Sequence, residues 1–288
     1  MSIAVIIVNY NAGETLAACV NALLKSPEAS QITVVDNASS DRSAENLNNL
    51  YGNRQAVSFL FNPSNIGFAP AVNSVARQVD ADYVLVLNPD CILESGALGL
   101  LKTALDKDPA AGLAGPLVLD ESGRTQRATR RHFPDPWKSL MTMSGLWRLG
   151  RWFSVFRGVE MDTGEPEGQA EVCDAVSGAC MLIKRTALEK VGYLDEDYGM
   201  HCEDLDLMFR LKLAGWHSLF VPAARCVHHQ GLSSSSRPVW VHFQKHRGMV
   251  RFFRKFQAKS HSLPTRLLVY IGIWLRFLVL WPLVLIRR

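Results

Sequence analysis

The stretch Tyr83-Val84-Leu85-Val86-Leu87-Asn88-Pro89-Asp90 passes from an aromatic residue through four branched apolar ones into a turn-forming tripeptide that ends in a carboxylate. An unbroken apolar run of this kind predicts a strand buried on both faces, and Pro89, which has no N–H to donate, stops the ladder. Asp90 is thereby delivered to a strand's C-terminal end. In open α/β sheets ligands gather at that edge, and a hard carboxylate there suits Mg²⁺ or Mn²⁺ bridging a diphosphate. A plain Pro-Asp turn has the same composition, so the flanking chain decides between the two.

Upstream, Ile3 to Val8 reads as a buried strand, followed by the polar loop Asn9-Tyr10-Asn11-Ala12-Gly13 and a helix from about Glu14 to Lys25. A second strand, Ile32 to Val35, ends at Asp36-Asn37-Ala38-Ser39-Ser40-Asp41 and so presents a second carboxylate at a C-terminal edge. A third covers Val57 to Phe61, and the loop Asn62 to Phe68 leads into a helix reaching about Val79. Strands and helices alternating at this spacing imply βαβ units and a largely parallel sheet.

Downstream, Glu94 to Leu105 has helical periodicity and Gly112 to Leu119 returns as a strand. Residues 124–172 mix aromatic and basic side chains without a period, which predicts a flexible segment over the site that meets the acceptor. Arg127, Arg130 and Arg131 in it suit phosphate or a solvated loop equally. A strand from Val176 to Arg185 is entered through Gly178, which either lets backbone approach a ligand or makes the turn. A helix from about Cys202 buries Leu205, Met208 and Phe209, pairs Asp206 with Arg210 one turn on, and places Glu203 and Asp204 in its first turn, where free N–H groups favour carboxylates. A last strand, Trp216 to Val221, ends at Pro222, leaving His228 and His229 on a loop from which an imidazole can complete a metal site begun by Asp90.

A chain of 288 residues with net charge +4 has room for one large α/β domain or two small ones, and its modest charge without a recognisable module argues against nucleic acid as a partner. The six cysteines show no C-x-x-C pair, as expected of reduced thiols in the cytosol. The first apolar run ends at Val8, too short for a signal sequence. At the other end, residues 267–286 are almost wholly apolar, interrupted by Arg276 and Pro282. Residues 245–259 form an amphipathic pattern with Met249, Phe252, Phe253 and Phe256 on one face and Arg247, Arg251 and Arg254 opposite. That stripe fits a core; the apolar span after it favours a membrane surface. Arg276 and Pro282 favour a shallow or re-entrant anchor over a straight crossing.

In chain order, Val8-Asn9-Tyr10-Asn11, Val35-Asp36-Asn37-Ala38-Ser39-Ser40-Asp41, Asn65-Ile66-Gly67-Phe68-Ala69 with Asn73, and Asn88-Pro89-Asp90 are followed by four further pieces. These are Ser177-Gly178-Ala179-Cys180, Gly192-Tyr193-Leu194-Asp195-Glu196, Glu203-Asp204-Leu205-Asp206-Leu207 with Arg210, and His228-His229-Gln230-Gly231. The ordered set resembles the family 2 glycosyltransferases of GT-A fold, most closely their rhamnosyltransferase-like branch. Only Tyr198 to Cys202, ahead of the Glu-Asp pair, departs from the pattern.

The resemblance implies an α/β GT-A domain with a mainly parallel central sheet over residues 1–240, a basic amphipathic helix at 241–262 and a membrane-associated apolar segment at 263–288. It implies an inverting transferase at the cytoplasmic face of the inner (plasma) membrane, moving a sugar such as L-rhamnose from dTDP-rhamnose onto a lipid-linked saccharide during cell-surface polysaccharide assembly. A different donor such as a UDP-hexose, or a silent relative that only binds nucleotide sugar, are the alternatives. Asp36 would bind the nucleobase, with Asn9, Asn11, Asn65, Asn88 and Gly178 also on the donor. Asp90 and His228 would hold Mg²⁺ or Mn²⁺, with His228 preferred to His229 by its spacing to Gly231 and Ser233. Asp204 would be the general base and Glu203 its neighbour at the sugar. A cation neutralises charge developing on the leaving diphosphate, and a carboxylate across the anomeric carbon takes the acceptor's proton.

Overall fold

Each residue of Tyr83–Leu87 is buried, and the strand lies in the middle of a mixed sheet. The computed structural model describes residues 1–52, 54, 56–161, 168–229 and 237–286. In order these form β1 (Ile3–Asn9), α1 (Glu14–Leu24), β2 (Ala29–Asp36), α2 (Ser43–Tyr51), β3 (Val57–Phe61), α3 (Phe68–Ala76), β4 (Tyr83–Leu87), β5 (Cys91–Leu93), α4 (Ala97–Lys107) and β6 (Ala111–Leu119). There follow β7 (Arg130–Arg131), α5 (Pro136–Ser144), β8 (Glu171–Cys173), β9 (Ala175–Val176), β10 (Cys180–Lys184), α6 (Arg185–Val191), α7 (Glu203–Leu213), β11 (His217–His228), α8 (Pro238–Phe252) and α9 (Leu263–Ile286).

The sheet runs β3-β2-β1-β4-β10-β6-β11-β5, with β8 also on β11. Pairing is parallel through β3-β2-β1-β4 and between β6 and β11, and antiparallel where β10 joins β4 and β6 and where β5 joins β11. Alternation along each strand divides the core: Ile3, Val5 and Ile7 pack with α1 and α4, whereas Ala4, Ile6 and Val8 pack with α3 and α7. Tyr83, Leu85 and Leu87 join the first set, Val84 and Val86 the second. An apolar run without alternation is thus the consequence of helices covering both faces.

Three expectations are corrected. The last strand does not stop at Pro222: a register shift between Val221 and Arg225 absorbs the proline, and β11 continues to pair with β5. His228 is therefore a strand residue opposite Cys91 and not part of a loop. The strand expected over 176–185 is two short ones split at Ser177-Gly178-Ala179. The segment 124–172 is more ordered than its composition suggests, with β7, α5, two 3₁₀ turns and β8; residues 162–167 lie outside the described residues, as do Gln230, Gly231 and Ser233.

At the C-terminal end the aromatic stripe packs inward. Phe252 and Phe253 are buried, and the Phe209 ring meets Phe252 at 5.6 Å and Phe256 at 4.6 Å. Arg251, expected on a lipid-facing side, instead holds Asp195 at 2.8 Å, and Lys255 holds Asp206 at 2.6 Å. Asp206 also takes the expected Arg210 partner at 2.5 Å. After a π-helical turn over Phe253–Gln257, α9 folds back along α8, with His242 against Phe277 at 4.9 Å and Phe253 against Tyr270 at 5.5 Å. Arg276 turns toward α8, its guanidinium 3.6 Å from the Met249 sulfur.

Asn73 ties the two halves together. It is fully buried, donating to Leu194 O and Glu196 Oε1, both at 2.8 Å, and accepting from Leu194 N at 3.1 Å. Asn73→Ala is expected to cost roughly 1–3 kcal/mol, because it strands buried backbone groups. Urea unfolding reads this as a lowered midpoint, and an unchanged midpoint would rule out the clamp.

Candidate active site

β1 lies between β2 and β4, so the loops after β2 and β4 leave the sheet on either side of the β1 C-terminus. A crevice at such a reversal of strand order is where α/β sheets bind ligands. Asp36 is directly paired in register with Asn9. The Asn9 amide donates to Asp36 Oδ1 at 2.7 Å, while Ser39 donates its N–H to Asp36 Oδ2 at 2.9 Å and its hydroxyl to Oδ1 at 2.6 Å. Asn9 is fully buried and Asn11 spends its Oδ1 on the Ser40 N–H at 2.7 Å. Both therefore shape the loop that presents Asp36. Asn9 Oδ1 remains buried without a partner among the described residues. Asn65 is exposed and accepts from Gly67 N at 3.0 Å, which turns the chain into α3.

At the end of β4 the Asn88 N–H donates to Ala179 O at 2.9 Å, extending the β4–β10 ladder by one bond before the Pro89 turn. Asp90 and His228 are both buried and face each other, Oδ1 to Nε2, at 3.2 Å. His229 is turned away onto Glu121 at 2.8 Å. The His228 ring is held by Gln126, whose Oε1 is 3.1 Å from Nδ1 and whose amide donates to His228 O at 2.8 Å. With the Nδ1 proton given to Gln126, Nε2 keeps the lone pair a metal needs. Two ligand atoms at adjacent corners of an octahedron with bonds of about 2.1 Å lie roughly 3.0 Å apart, so this pair fits a divalent cation. Among the described residues no cluster of three or more His, Cys, Asp or Glu offers a complete protein cage. Remaining positions would fall to substrate oxygens and water.

The acid pair enters from the other side of the β4–β10 ladder. His201 and Cys202 are both left-handed, with φ of 67° and 72°, and swing the chain abruptly into α7. A Cβ on Gly178 would lie 2.9 Å from both Cβ and Oδ2 of Asp204. The close approach that Gly178 permits is to Asp204. Asp204 Oδ2 accepts from Arg131 Nη2 at 2.6 Å, and Arg131 also donates to Val176 O at 3.0 Å. The same turn is buttressed by α8: a Cβ on Gly248 would meet His201 O at 2.8 Å.

Glu203 Oε2 and Arg131 Nε are buried and lack partners among the described residues. Burial, and then the Asp204 carboxylate beside it, push the Glu203 carboxyl up from 4.5 to about 8. Gln126 and Arg131 were not assigned these roles from the sequence. Neither sits in a compact motif, and their partners are 102 and 73 residues away. Arg127 and Arg130, which in sequence suit phosphate or a solvated loop equally, bind Glu160 and Glu171.

Residues 4–192 match Glycosyl transferase family 2, and residues 170–286 match Glycosyl transferase family group 2. The chain is 31% identical, over 81% of its length and 78% of the relative's, to the N-acetylglucosaminyl-diphospho-decaprenol L-rhamnosyltransferase of Mycobacterium tuberculosis. It is 29% identical over 53% of its length to the rhamnosyltransferase WbbL of Escherichia coli, covering 54% of that protein. Among solved structures it resembles GalNAc-T7 with UDP, GalNAc and Mn²⁺, at a TM-score of 0.63 and 18% identity, over 88% of this chain and 48% of that one. It also resembles the mannosyltransferase PcManGT from Pyrobaculum calidifontis in complex with GDP-Man and Mn²⁺, with a TM-score of 0.59 and 15% identity, over 99% of this chain and 72% of that one. The fold is that of the GT-A transferases.

The raised Glu203 carboxyl has a consequence for stability. Between pH 4.5 and about 8 the folded chain retains a proton that the unfolded chain has lost, so this group's contribution falls as the pH rises through that window. Glu203→Gln removes the titration. The variant is expected to gain melting temperature relative to wild type on going from the bottom of that window to its top. Parallel pH profiles for the two proteins would contradict this assignment.

Proposed function

The chain belongs to glycosyl transferase family 2, and we propose that it moves L-rhamnose from dTDP-rhamnose to a lipid-linked saccharide, with inversion, at the cytoplasmic face of the membrane during cell-surface polysaccharide assembly. The observation that carries this reading is the continuity of the site across one ladder. The Asp90–His228 pair stands at the end of β4, while Asp204 packs on Gly178, next to Ala179, which bonds Asn88. The choice of sugar and acceptor is supported by the mycobacterial relative, whose name specifies rhamnosyl transfer to a diphospho-decaprenol-linked sugar.

Asp36 receives the nucleobase, with Asn65 exposed on the neighbouring loop. Two inter-strand spacings of about 4.8 Å separate the ends of β2 and β4 across β1, so a nucleoside held at Asp36 extends its diphosphate toward Asn88 and Asp90. Asp90 and His228 would hold Mg²⁺ or Mn²⁺, which when bound offsets the charge that develops on the departing diphosphate. Asp204 is paired through Oδ2 with Arg131, which fixes its direction and leaves Oδ1 to take the proton of the attacking hydroxyl. Attack from that side, opposite the leaving group, inverts the anomeric centre. Glu203 lies against the sugar.

Residues 1–240 would form the catalytic domain, 241–262 the basic helix that supports its Glu-Asp turn, and 263–288 the anchor. Leu263–Leu285 is long and apolar enough to cross a membrane by length and composition. Its aromatic face is already engaged on α8, which favours a helix lying in the membrane surface with Leu267, Ile271, Leu275 and Leu278 outward.

Transfer from dTDP-rhamnose to a polyprenyl-diphosphate sugar tests the proposal, with UDP-hexoses as competing donors. Asp204→Asn preserves shape but cannot accept a proton, and is expected to lower turnover by roughly 10² to 10⁴ while donor affinity and melting temperature hold. Near wild-type transfer in that variant would remove Asp204 as base. Asp90→Ala is expected to abolish the Mn²⁺-dependent part of donor binding, measured calorimetrically with and without the cation. Equal Mn²⁺-dependent affinity in variant and wild type would reject Asp90 as a ligand.

A further inference from the structure

Between β7 and β8, α5 and the 3₁₀ turns Leu146–Arg151 and Ser154–Phe156 form a hairpin that turns large apolar side chains outward. Trp137, Leu140, Met143, Trp152, Phe153 and Val155 are each half or more exposed, whereas Met141 is the one buried residue of α5. This is not a loosened core. The hairpin is closed by its own hydrogen bonds, from Trp137 Nε1 to Val155 O at 2.7 Å and from Val159 N to Thr142 Oγ1 at 2.9 Å. An ordered element that presents aromatic and aliphatic groups to the outside marks an interaction surface.

Its charges identify the partner. No Asp or Glu occurs between Asp135 and Glu160, while Lys138, Arg148, Arg151 and Arg157 do. Arg151 lies over the Trp152 ring at 3.9 Å, placing cation and indole together as a headgroup boundary favours. The neighbouring surface has the same character: no Asp or Glu follows Asp206 in the chain, Lys245, Arg247, Arg254 and Lys259 are exposed, and α9 turns its aliphatic face outward. The hairpin is rooted beside that surface, with Phe133 against Phe209 at 4.8 Å and Gln257 donating to Pro134 O. Two copies of this hairpin would set basic surface against basic surface.

We propose that residues 136–157 are a second lipid-contacting element, which inserts its aromatic and aliphatic side chains into the interfacial layer of an anionic bilayer and brings the Arg131–Asp204 side of the site to headgroup level. The inference deepens the reading of a lipid-linked acceptor and rests on it for its purpose. Its physical basis is separate: aromatic and aliphatic groups seek the interface, and a hairpin carrying four bases and no acid attracts anionic lipid.

The six native cysteines are buried, so a cysteine introduced into the full chain is labelled selectively. Phe153→Cys, Ile271→Cys on α9 and Asn49→Cys on α2 would each carry an environment-sensitive fluorophore and be mixed with vesicles containing phosphatidylglycerol, or phosphatidylcholine alone. With anionic vesicles the probe at 153 is expected to shift to the blue and lose iodide quenching several-fold, as at 271, while the probe at 49 is unchanged. A probe at 153 that stays open to iodide while the one at 271 is protected would overturn the proposal. So would protection at 153 that depends on protein concentration without lipid, since a second copy would then be the occupant. Trp152→Ser with Phe153→Ser in the full chain is expected to reduce flotation with anionic vesicles at unchanged melting temperature; undiminished flotation overturns the proposal. These readouts do not require sugar transfer, so failure of the donor assignment and failure of the hairpin assignment are separately visible.

Discussion

The ladder between β4 and β10 holds the two halves of the site in relation to each other. β4 ends in the turn that carries Asp90, β10 begins at the turn that carries Gly178, and the two run antiparallel, with Leu87 opposite Cys180. Their ends therefore meet at the same edge. The extra bond from Asn88 N to Ala179 O ties the turns beyond the last paired residues. Strand pairing is stiff and its period of two makes a one-residue slip exchange the faces of the sheet. A slip here would carry Asp90 away from His228 and Gly178 away from Asp204 at once.

Proteins commonly neutralise buried carboxylates with dedicated partners, because an unpaired charge out of water is costly. Here Asp204 is paired with Arg131, Asp206 with Arg210 and Lys255, and Asp195 with Arg251 and Lys255. Two of these partners come from the C-terminal helical region, so the basic stretch that resembles a lipid-binding helix in sequence is in part a counter-ion for Asp195 and Asp206. Its remaining bases Arg247, Arg254 and Lys259 are exposed, and the acid-free hairpin at 136–157 is rooted beside that helical region. Glu203 stands apart: its Oε2 has no partner among the described residues, and burial, with the Asp204 carboxylate beside it, raises its carboxyl.

The elements that local pattern determined are those whose physics is local. Tyr83–Leu87 is apolar without alternation and is buried on both faces; Asp36 is the last residue of β2, and Asp90 follows β4 at its C-terminal end. The Asp206–Arg210 pair follows from helical spacing alone. What tertiary structure decided is which of these pieces meet. Pro222 reads as a strand end, but a bulge absorbs it because the partner strand β6 continues beside it, and this carries His228 to Asp90. Gly178 permits a close approach, and only packing shows that α7 makes it; Asn9 and Asn11 are polar, and only packing shows them turned inward on the Asp36 loop. The aromatic stripe on α8 has a period that any apolar surface satisfies, so Phe209 and α9 decided where it faces. A sequence specifies periods and residue chemistry along a line, whereas a site is made of contacts across many tens of residues, and those depend on which strands pair and which faces are already covered.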